Sequence, residues 1–182
     1  HAQLPAPFLA RFALAGVVGV VIGTVMLASL PAAAMLLLTA AAVVYYIGFR
    51  LARPDWTLGY AAALRFSVPA GGVAGVLLGA TGISAPVSVS YLNAMRLERE
   101  TFIASIALFF LVVGATQLPA LWVAGLLTWE RAALGVAALA VMAAGMPLGS
   151  WLARRLSRAA FDRVILAVLA VIALRLAWQA LG

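Results

Sequence analysis

The chain has 182 residues, of which 66% are hydrophobic and 9% are charged, and its mean hydropathy is +1.15. So few polar residues cannot cover the surface of a water-soluble core, which excludes a soluble globular domain. The twelve basic residues, all arginine, outweigh five acidic ones and give a net charge of +7. Because these charges lie between apolar stretches, we assign them to orientation in a membrane and predict no nucleic-acid binding.

Cysteine and histidine chemistry is nearly absent from the sequence. There is no cysteine, and the one histidine is His1, at the start of the chain. No disulfide, thiolate metal site or cysteine nucleophile can form, and no Gly-x-Ser-x-Gly motif is present. We predict no catalytic residue, no metal site and no cofactor. Since the sequence does not begin with Met, we expect that it is a piece of a longer protein.

Six apolar stretches follow one another along the chain, and each approaches the roughly 20 residues that span a hydrocarbon core. The longest polar connection between them runs from Arg50 to Arg65 and contains Trp56 and Tyr60, which are placed like interfacial aromatics. The stretches are Phe8–Ala28, Ala32–Phe49, Ser67–Tyr91, Thr101–Val123, Ala132–Trp151 and Phe161–Leu181.

Two glycines indicate an internal repeat. Gly19 and Gly23 recur 126 residues later as Gly145 and Gly149, without a gap. Extending the repeat to the third and fourth stretches requires roughly 60 further residues before His1, for a protein of about 245 residues in two halves, an arrangement common in secondary transporters. The short connection after Ala28 carries no charge, whereas the matching one after Leu152 is rich in arginine. By the positive-inside rule the two connections lie on opposite sides, so the repeat is inverted.

Inversion requires an odd number of crossings in each half, so one of the four stretches of a half cannot cross once. The best candidate is Ser67–Tyr91. If this stretch enters the membrane and returns to the same side, nearly all loop arginines lie on one side and Arg131 lies on the other. We therefore predict an all-α integral membrane protein. Residues 1–182 form a single transmembrane domain, in which residues 8–49 end a first repeat and residues 67–181 form a second, inverted repeat with a broken, re-entrant glycine-rich helix.

The third stretch carries the motif with chemical meaning. Gly71, Gly75 and Gly79 recur every fourth residue and predict a smooth face for close helix packing. Gly82 and Pro86 then favour an interruption, with the helix ending near Ala80 and restarting near Pro86. Unpaired backbone at bilayer depth is tolerated only where it is buried in protein or lines a cavity.

The restarted helix directs its free N–H groups and positive dipole end into the membrane, which suits an anion, and nearby hydroxyls add neutral donors. Packing alone is the alternative explanation of the small residues. Gln117, polar within an apolar stretch, is expected to face the same cavity, although such a glutamine also serves as a helix-to-helix hydrogen bond. The candidate substrate-binding residues are Gly79, Thr81, Gly82, Ser84, Pro86, Ser88 and Gln117.

The run from Gly71 through Pro86, with Tyr91, the charged turn Arg96–Glu100 and the apolar stretch Thr101–Gly125, resembles the second half of the sulfite exporter (TauE/SafE) family. The resemblance implies a small two-half bacterial transporter of the cell (inner) membrane that exports or moves sulfite or related organosulfur anions. Ser84 and Ala85 stand where the family usually has paired glycines. A non-transporting scaffold or assembly subunit and, less favoured, an intramembrane enzyme are the alternatives.

The expected partners are a small anionic substrate and the lipid bilayer. Association into a homo-oligomer stays open, because nothing in the sequence specifies it. An aspartate or glutamate within the apolar stretches would indicate proton coupling, but all five acidic residues lie in or near connections.

Overall fold

The computed structural model describes residues 6–52, 56–155 and 158–181, and these ranges fold into helices joined by short turns. Five of the helices are long and apolar enough to cross a membrane. The prediction of an all-α membrane protein is thus confirmed. The helices are α1 (Ala6–Ser29), α2 (Ala32–Ala52), α3 (Tyr60–Thr81), α4 (Ala85–Ala94), α5 (Arg99–Val123), α6 (Trp129–Arg155) and α7 (Arg158–Leu181).

The glycine-rich helix α3 begins earlier than the sequence suggested. We expected the apolar stretch to start at Ser67, with Arg65 in the preceding connection, but α3 starts at Tyr60 and includes Arg65. The intervening alanines and leucine are strong helix formers, and an exposed arginine on a membrane helix extends its head to the interface at little cost. The polar connection is correspondingly shorter than predicted.

Helices α1 and α3 pack backbone against backbone. A side chain at Gly71, Gly75 or Gly79 would collide with a carbonyl oxygen of α1, those of Phe12, Gly16 and Val20 respectively. The contacts follow the same order in both helices, so α1 and α3 run parallel. The predicted close-packing face is confirmed, and every fourth residue from Gly71 to Gly79 is glycine because another main chain occupies the space of its Cβ.

An aromatic cluster joins α1 to α4 and α5. The Phe12 ring stacks on Tyr91 with centroids 5.0 Å apart and lies 4.3 Å from the Phe109 ring. All three side chains are buried. Tyr91 also donates its phenolic hydrogen to the carbonyl oxygen of Ala63 in α3, so its one polar atom is satisfied inside the bundle.

Helices α3 and α4 form a closed hairpin. The amide of Leu58, just before α3, donates a 2.7 Å hydrogen bond to the carbonyl of Ala94 at the end of α4. The chain therefore returns to the end of the bundle from which α3 started. This end, which we call the closed end, is defined by Leu58 and Ala94, and Arg96 and Arg99 follow immediately after it in the chain.

Helices α6 and α7 lie outside this compact part of the bundle. Helix α7 packs on α2, whereas the central residues of α6 are exposed. Gly145 and Gly149, the predicted counterparts of Gly19 and Gly23, have nothing within 4 Å of a Cβ added to them. The environments of the two glycine pairs differ, and the inverted repeat stays a prediction.

Candidate functional site

The break between α3 and α4 lies where the sequence predicted it. Helix α3 ends at Thr81, and α4 begins at Ala85 with Pro86 in its first turn. Gly82 adopts the left-handed region with φ of 74° and donates its N–H to the carbonyl of Leu78 at 2.8 Å. A residue without Cβ suits this conformation, and a proline without N–H suits the start of the next helix.

The Thr81 hydroxyl stabilises the bend between α3 and α4 by hydrogen bonds on both sides of it. Its Oγ1 donates to the carbonyl of Leu77 at 2.7 Å and accepts the amide hydrogen of Ile83 at 3.2 Å. One hydroxyl thereby bridges the last turn of α3 and the linker. A donor that we expected to be available to a ligand is thus committed to the backbone in this state.

Ser84 and Ser88 form a buried hydroxyl pair at the start of α4. Their Oγ atoms are 3.3 Å apart, and Ser88 Oγ also donates to the carbonyl of Ser84 at 3.0 Å. That carbonyl accepts the amides of Val87 and Ser88 as well. Within the described residues, no backbone acceptor pairs with the amides of Ser84 and Ala85. These two N–H groups are the unpaired donors that a helix N-terminus offers an anion.

Gln117 of α5 contacts the last turn of α3, directly before the break. Its Nε2 donates a 3.1 Å hydrogen bond to the carbonyl of Leu78, the same oxygen that accepts from Gly82. The neighbouring Thr116 is instead bonded to its own helix, through the carbonyl of Val112. Gln117 therefore makes the helix-to-helix hydrogen bond of the alternative interpretation, and that bond is to the last turn of the broken helix, whereas its place in a substrate cavity stays a prediction.

Replacing Gln117 with leucine should cost about 1 kcal/mol of stability, since one interhelical hydrogen bond to a carbonyl that keeps its other donor is lost. Thermal unfolding in detergent measures the effect. Thr116→Val is the matched control on the same helix turn, because its hydroxyl bonds only within α5. Equal melting temperatures for Gln117→Leu and Thr116→Val would contradict a stabilising role for the contact at Leu78.

The candidate residues do not all lie at one site. Thr81, Gly82, Ser84, Ser88 and Gln117 gather around the break. Gly79 faces the backbone of α1, between Val20 and Thr24, so helix packing explains its missing side chain. Pro86 lines an apolar groove of about 700 Å³, and Thr116 lines a separate apolar cavity of about 420 Å³ between α1 and α5.

Ser105 is a residue that sequence reasoning missed. It is fully buried on α5, and its Oγ has no hydrogen-bond partner among the described residues. Ser88 lies six residues before the end of α4, and Ser105 lies six residues after the start of α5, so each is about 9 Å along its helix from the turn that joins the two helices. No sequence signal distinguishes Ser105 from other helical serines, which usually bond a carbonyl of their own helix.

Apolar helices of spanning length, together with a helix broken inside the bundle, define a multi-pass α-helical membrane protein. The chain belongs to the family described as sulfite exporter TauE/SafE, whose model matches residues 1–176. This confirms the resemblance seen in the sequence. The family comprises membrane transporters of sulfite or related anions, so the chain's surroundings are lipid and its substrate class is a small anion. No curated protein and no solved structure matches the chain.

Proposed function

We propose that the protein exports sulfite or a related organosulfur anion across the bacterial cytoplasmic membrane, with the anion held at the break between α3 and α4. The observation that carries this proposal is the pair of unpaired amides at Ser84 and Ala85, at the N-terminus of a helix that starts inside the bundle. Family membership supports the substrate class.

The electrostatics of the break favour a small oxyanion. An α-helix carries about half a positive charge at its N-terminus, and in a low-dielectric interior this partial charge is screened less than in water. Ser84 directly precedes α4 and Ser88 lies in its first turn, and both hydroxyls can rotate towards a ligand without moving the backbone. None of these donors is charged, which suits a site that must release its ion as well as bind it.

Ser105 adds a donor from a second helix. A buried hydroxyl without a partner costs about 1–3 kcal/mol, a cost that folding alone does not explain. Its depth matches that of Ser88. We infer that the α4–α5 pair, linked to α3 through Gln117, changes its packing during transport and exposes these hydroxyls alternately to the two sides, as alternating access requires.

Uptake of sulfite, sulfate and sulfoacetate into proteoliposomes tests the function, with the full-length protein and two variants, Thr81→Val and Ser84→Ala. We expect flux to fall at least fivefold in each, because one loses the hydroxyl that holds the bend and the other loses a donor at the helix N-terminus. Ser90→Ala is the control, since Ser90 lies on α4 but faces the apolar groove. Unchanged flux in both test variants would remove the proposed site, and no flux of any anion would favour a scaffold.

The membrane orientation is a separate prediction. Arg50 lies in the last turn of α2, Arg96 lies in the turn after α4 and Arg99 starts α5, so by the positive-inside rule this end faces the cytoplasm. Since the chain has no cysteine, single cysteines can be introduced directly. We expect Arg96→Cys to react from the cytoplasmic side and Thr128→Cys, in the α5–α6 turn, from the outside. Ser157, which we expect on the same side as Arg96, lies outside the described residues. Labelling of Arg96→Cys and Thr128→Cys from the same side of the membrane would contradict the orientation.

A further inference from the structure

An apolar groove lies between α2 and the α3–α4 hairpin, on the other side of α4 from its buried serines. It has a volume of about 700 Å³ and is walled mainly by aromatic and aliphatic side chains. Tyr45 and Phe49 come from α2, Phe66 and Val73 from α3, and Tyr91 from α4. Neither the family substrate nor the break explains it, because an inorganic anion placed among such side chains would lose its hydration without gaining hydrogen bonds.

The groove opens sideways, towards the surroundings of the bundle. Tyr45 is 69% exposed, Phe66 is 50% exposed and Val73 is 52% exposed. These residues belong to helices of membrane-spanning length, so their exposed surfaces face lipid hydrocarbon. A lipid chain can therefore enter the groove without crossing a polar barrier.

The length of the groove corresponds to one leaflet of a bilayer. It begins at the closed end, near Trp56 and Leu58, and extends along α3 to Val73. From Tyr60 to Val73 the helix rises by about 20 Å, compared with about 15 Å for half of a hydrocarbon core. The Trp56 ring meets the Phe49 ring edge-on at 5.2 Å, which places a tryptophan at the level where interfacial aromatics lie.

Along the chain, basic residues adjoin residues of the groove or of the closed end where it begins. Arg50 directly follows the wall residue Phe49, Arg65 directly precedes Phe66, and Arg96 comes two residues after Ala94 of the closed end. Among the described residues, the acidic ones near this end are Glu98 and Glu100, which lie at the start of α5, a helix that contributes no wall residue to the groove. Basic segments at a membrane surface attract anionic lipid headgroups, so arginines at this level favour a phosphate.

We propose that the groove binds one anionic phospholipid from the leaflet on the side of the closed end, with an acyl chain along the aromatic wall and the phosphate among the three arginines. The lipid packs against Pro86 and Val87 of α4, on the opposite side of that helix from Ser88, and supports the restarted helix from the bilayer side. The proposal concerns a lipid site and does not depend on which anion is transported.

The test uses the full-length protein in detergent, with dioleoyl phosphatidylglycerol and dioleoyl phosphatidylcholine as probes and native mass spectrometry as the readout. We expect at least fivefold higher occupancy by phosphatidylglycerol. Val73→Trp, which fills the groove from an exposed position, should reduce that occupancy at least fivefold, and the double variant Arg50→Gln, Arg96→Gln should abolish the preference for the anionic headgroup. The controls are Val136→Trp on the exposed face of α6 and Arg131→Gln at the opposite end of the bundle.

Trp56 supplies a second readout of the same site. Brominated phosphatidylglycerol should quench a variant that retains only Trp56 more strongly than one that retains only Trp178, which is exposed on α7. Equal binding of the two lipids would overturn the proposed headgroup recognition. Undiminished phosphatidylglycerol occupancy in Val73→Trp would overturn the groove as a lipid site. A complete lack of retained lipid would overturn it as well, and this is the result expected if another protein segment covers the groove.

Discussion

Substituting Gly75 with alanine should destabilise the protein by about 3 kcal/mol, although alanine is the better helix former by about 1 kcal/mol. The added Cβ would collide with the carbonyl oxygen of Gly16 on α1, and a backbone atom cannot rotate away as a flexible side chain can. Restoring contact distance requires α1 and α3 to separate along their whole interface. We expect a large fall in melting temperature, measured by fluorescence-detected size exclusion.

Gly72 provides the matched control for this prediction. It lies on the same helix three residues earlier, and a Cβ added there meets nothing within 4 Å. Gly72→Ala should therefore keep or slightly raise the melting temperature, because only the helix-propensity gain applies. The opposite signs expected at two neighbouring glycines separate packing from propensity, and similar melting temperatures for the two variants would refute the backbone-contact model of the α1–α3 interface.

Substituting Gly82 with alanine should reduce anion flux at least tenfold while leaving the protein folded. Gly82 adopts φ of 74°, so a Cβ there costs roughly 1–2 kcal/mol of backbone strain. The strain is relieved if the linker moves towards helical angles, which displaces the amides of Ser84 and Ala85 from the start of α4. The proposed anion site is lost although no side chain that touches it has been removed. Flux and melting temperature are measured on the same preparations.

Gly125→Ala isolates the effect of position from the effect of strain. Gly125 follows the end of α5 with φ of 70°, and a Cβ added there also meets nothing within 4 Å. Both substitutions therefore carry nearly the same folding cost, but only Gly82 lies at the break. Equal losses of flux in the two variants would show that strain or general stability, rather than the geometry of the break, controls transport.

Several features of the fold follow from local sequence alone. Helices α1, α2, α5, α6 and α7 follow the apolar stretches to within about four residues at each end. The break follows from Gly82 and Pro86, because left-handed glycine and an N-terminal proline act within a few residues of themselves. The glycine face of α3 follows from its four-residue spacing, because that spacing is a property of one helix. The start of α3 was misplaced, since a single Arg65 suggested a loop where the backbone stays helical.

The candidate site could be predicted only in part. Gly79 and Pro86 belong to the same motif as Thr81 and Ser84, yet Gly79 faces α1 and Pro86 faces the apolar groove. Sequence spacing does not reveal which neighbour a helix face meets. Ser105 had no sequence signal at all, because its lack of a partner is a property of the surrounding helices. The pairing of Gln117 with Leu78 likewise joins residues 39 positions apart.

By itself the sequence determined that this protein resides in a membrane, that its helices are long, and that one of them is interrupted. These properties depend on composition and on interactions between near neighbours in the chain. Only the tertiary structure decided that α1 runs parallel to α3, that the α3–α4 hairpin closes through Leu58 and Ala94, and that a groove opens beside α2. Such contacts join residues distant along the chain, and their free energy depends on the three-dimensional packing of whole helices.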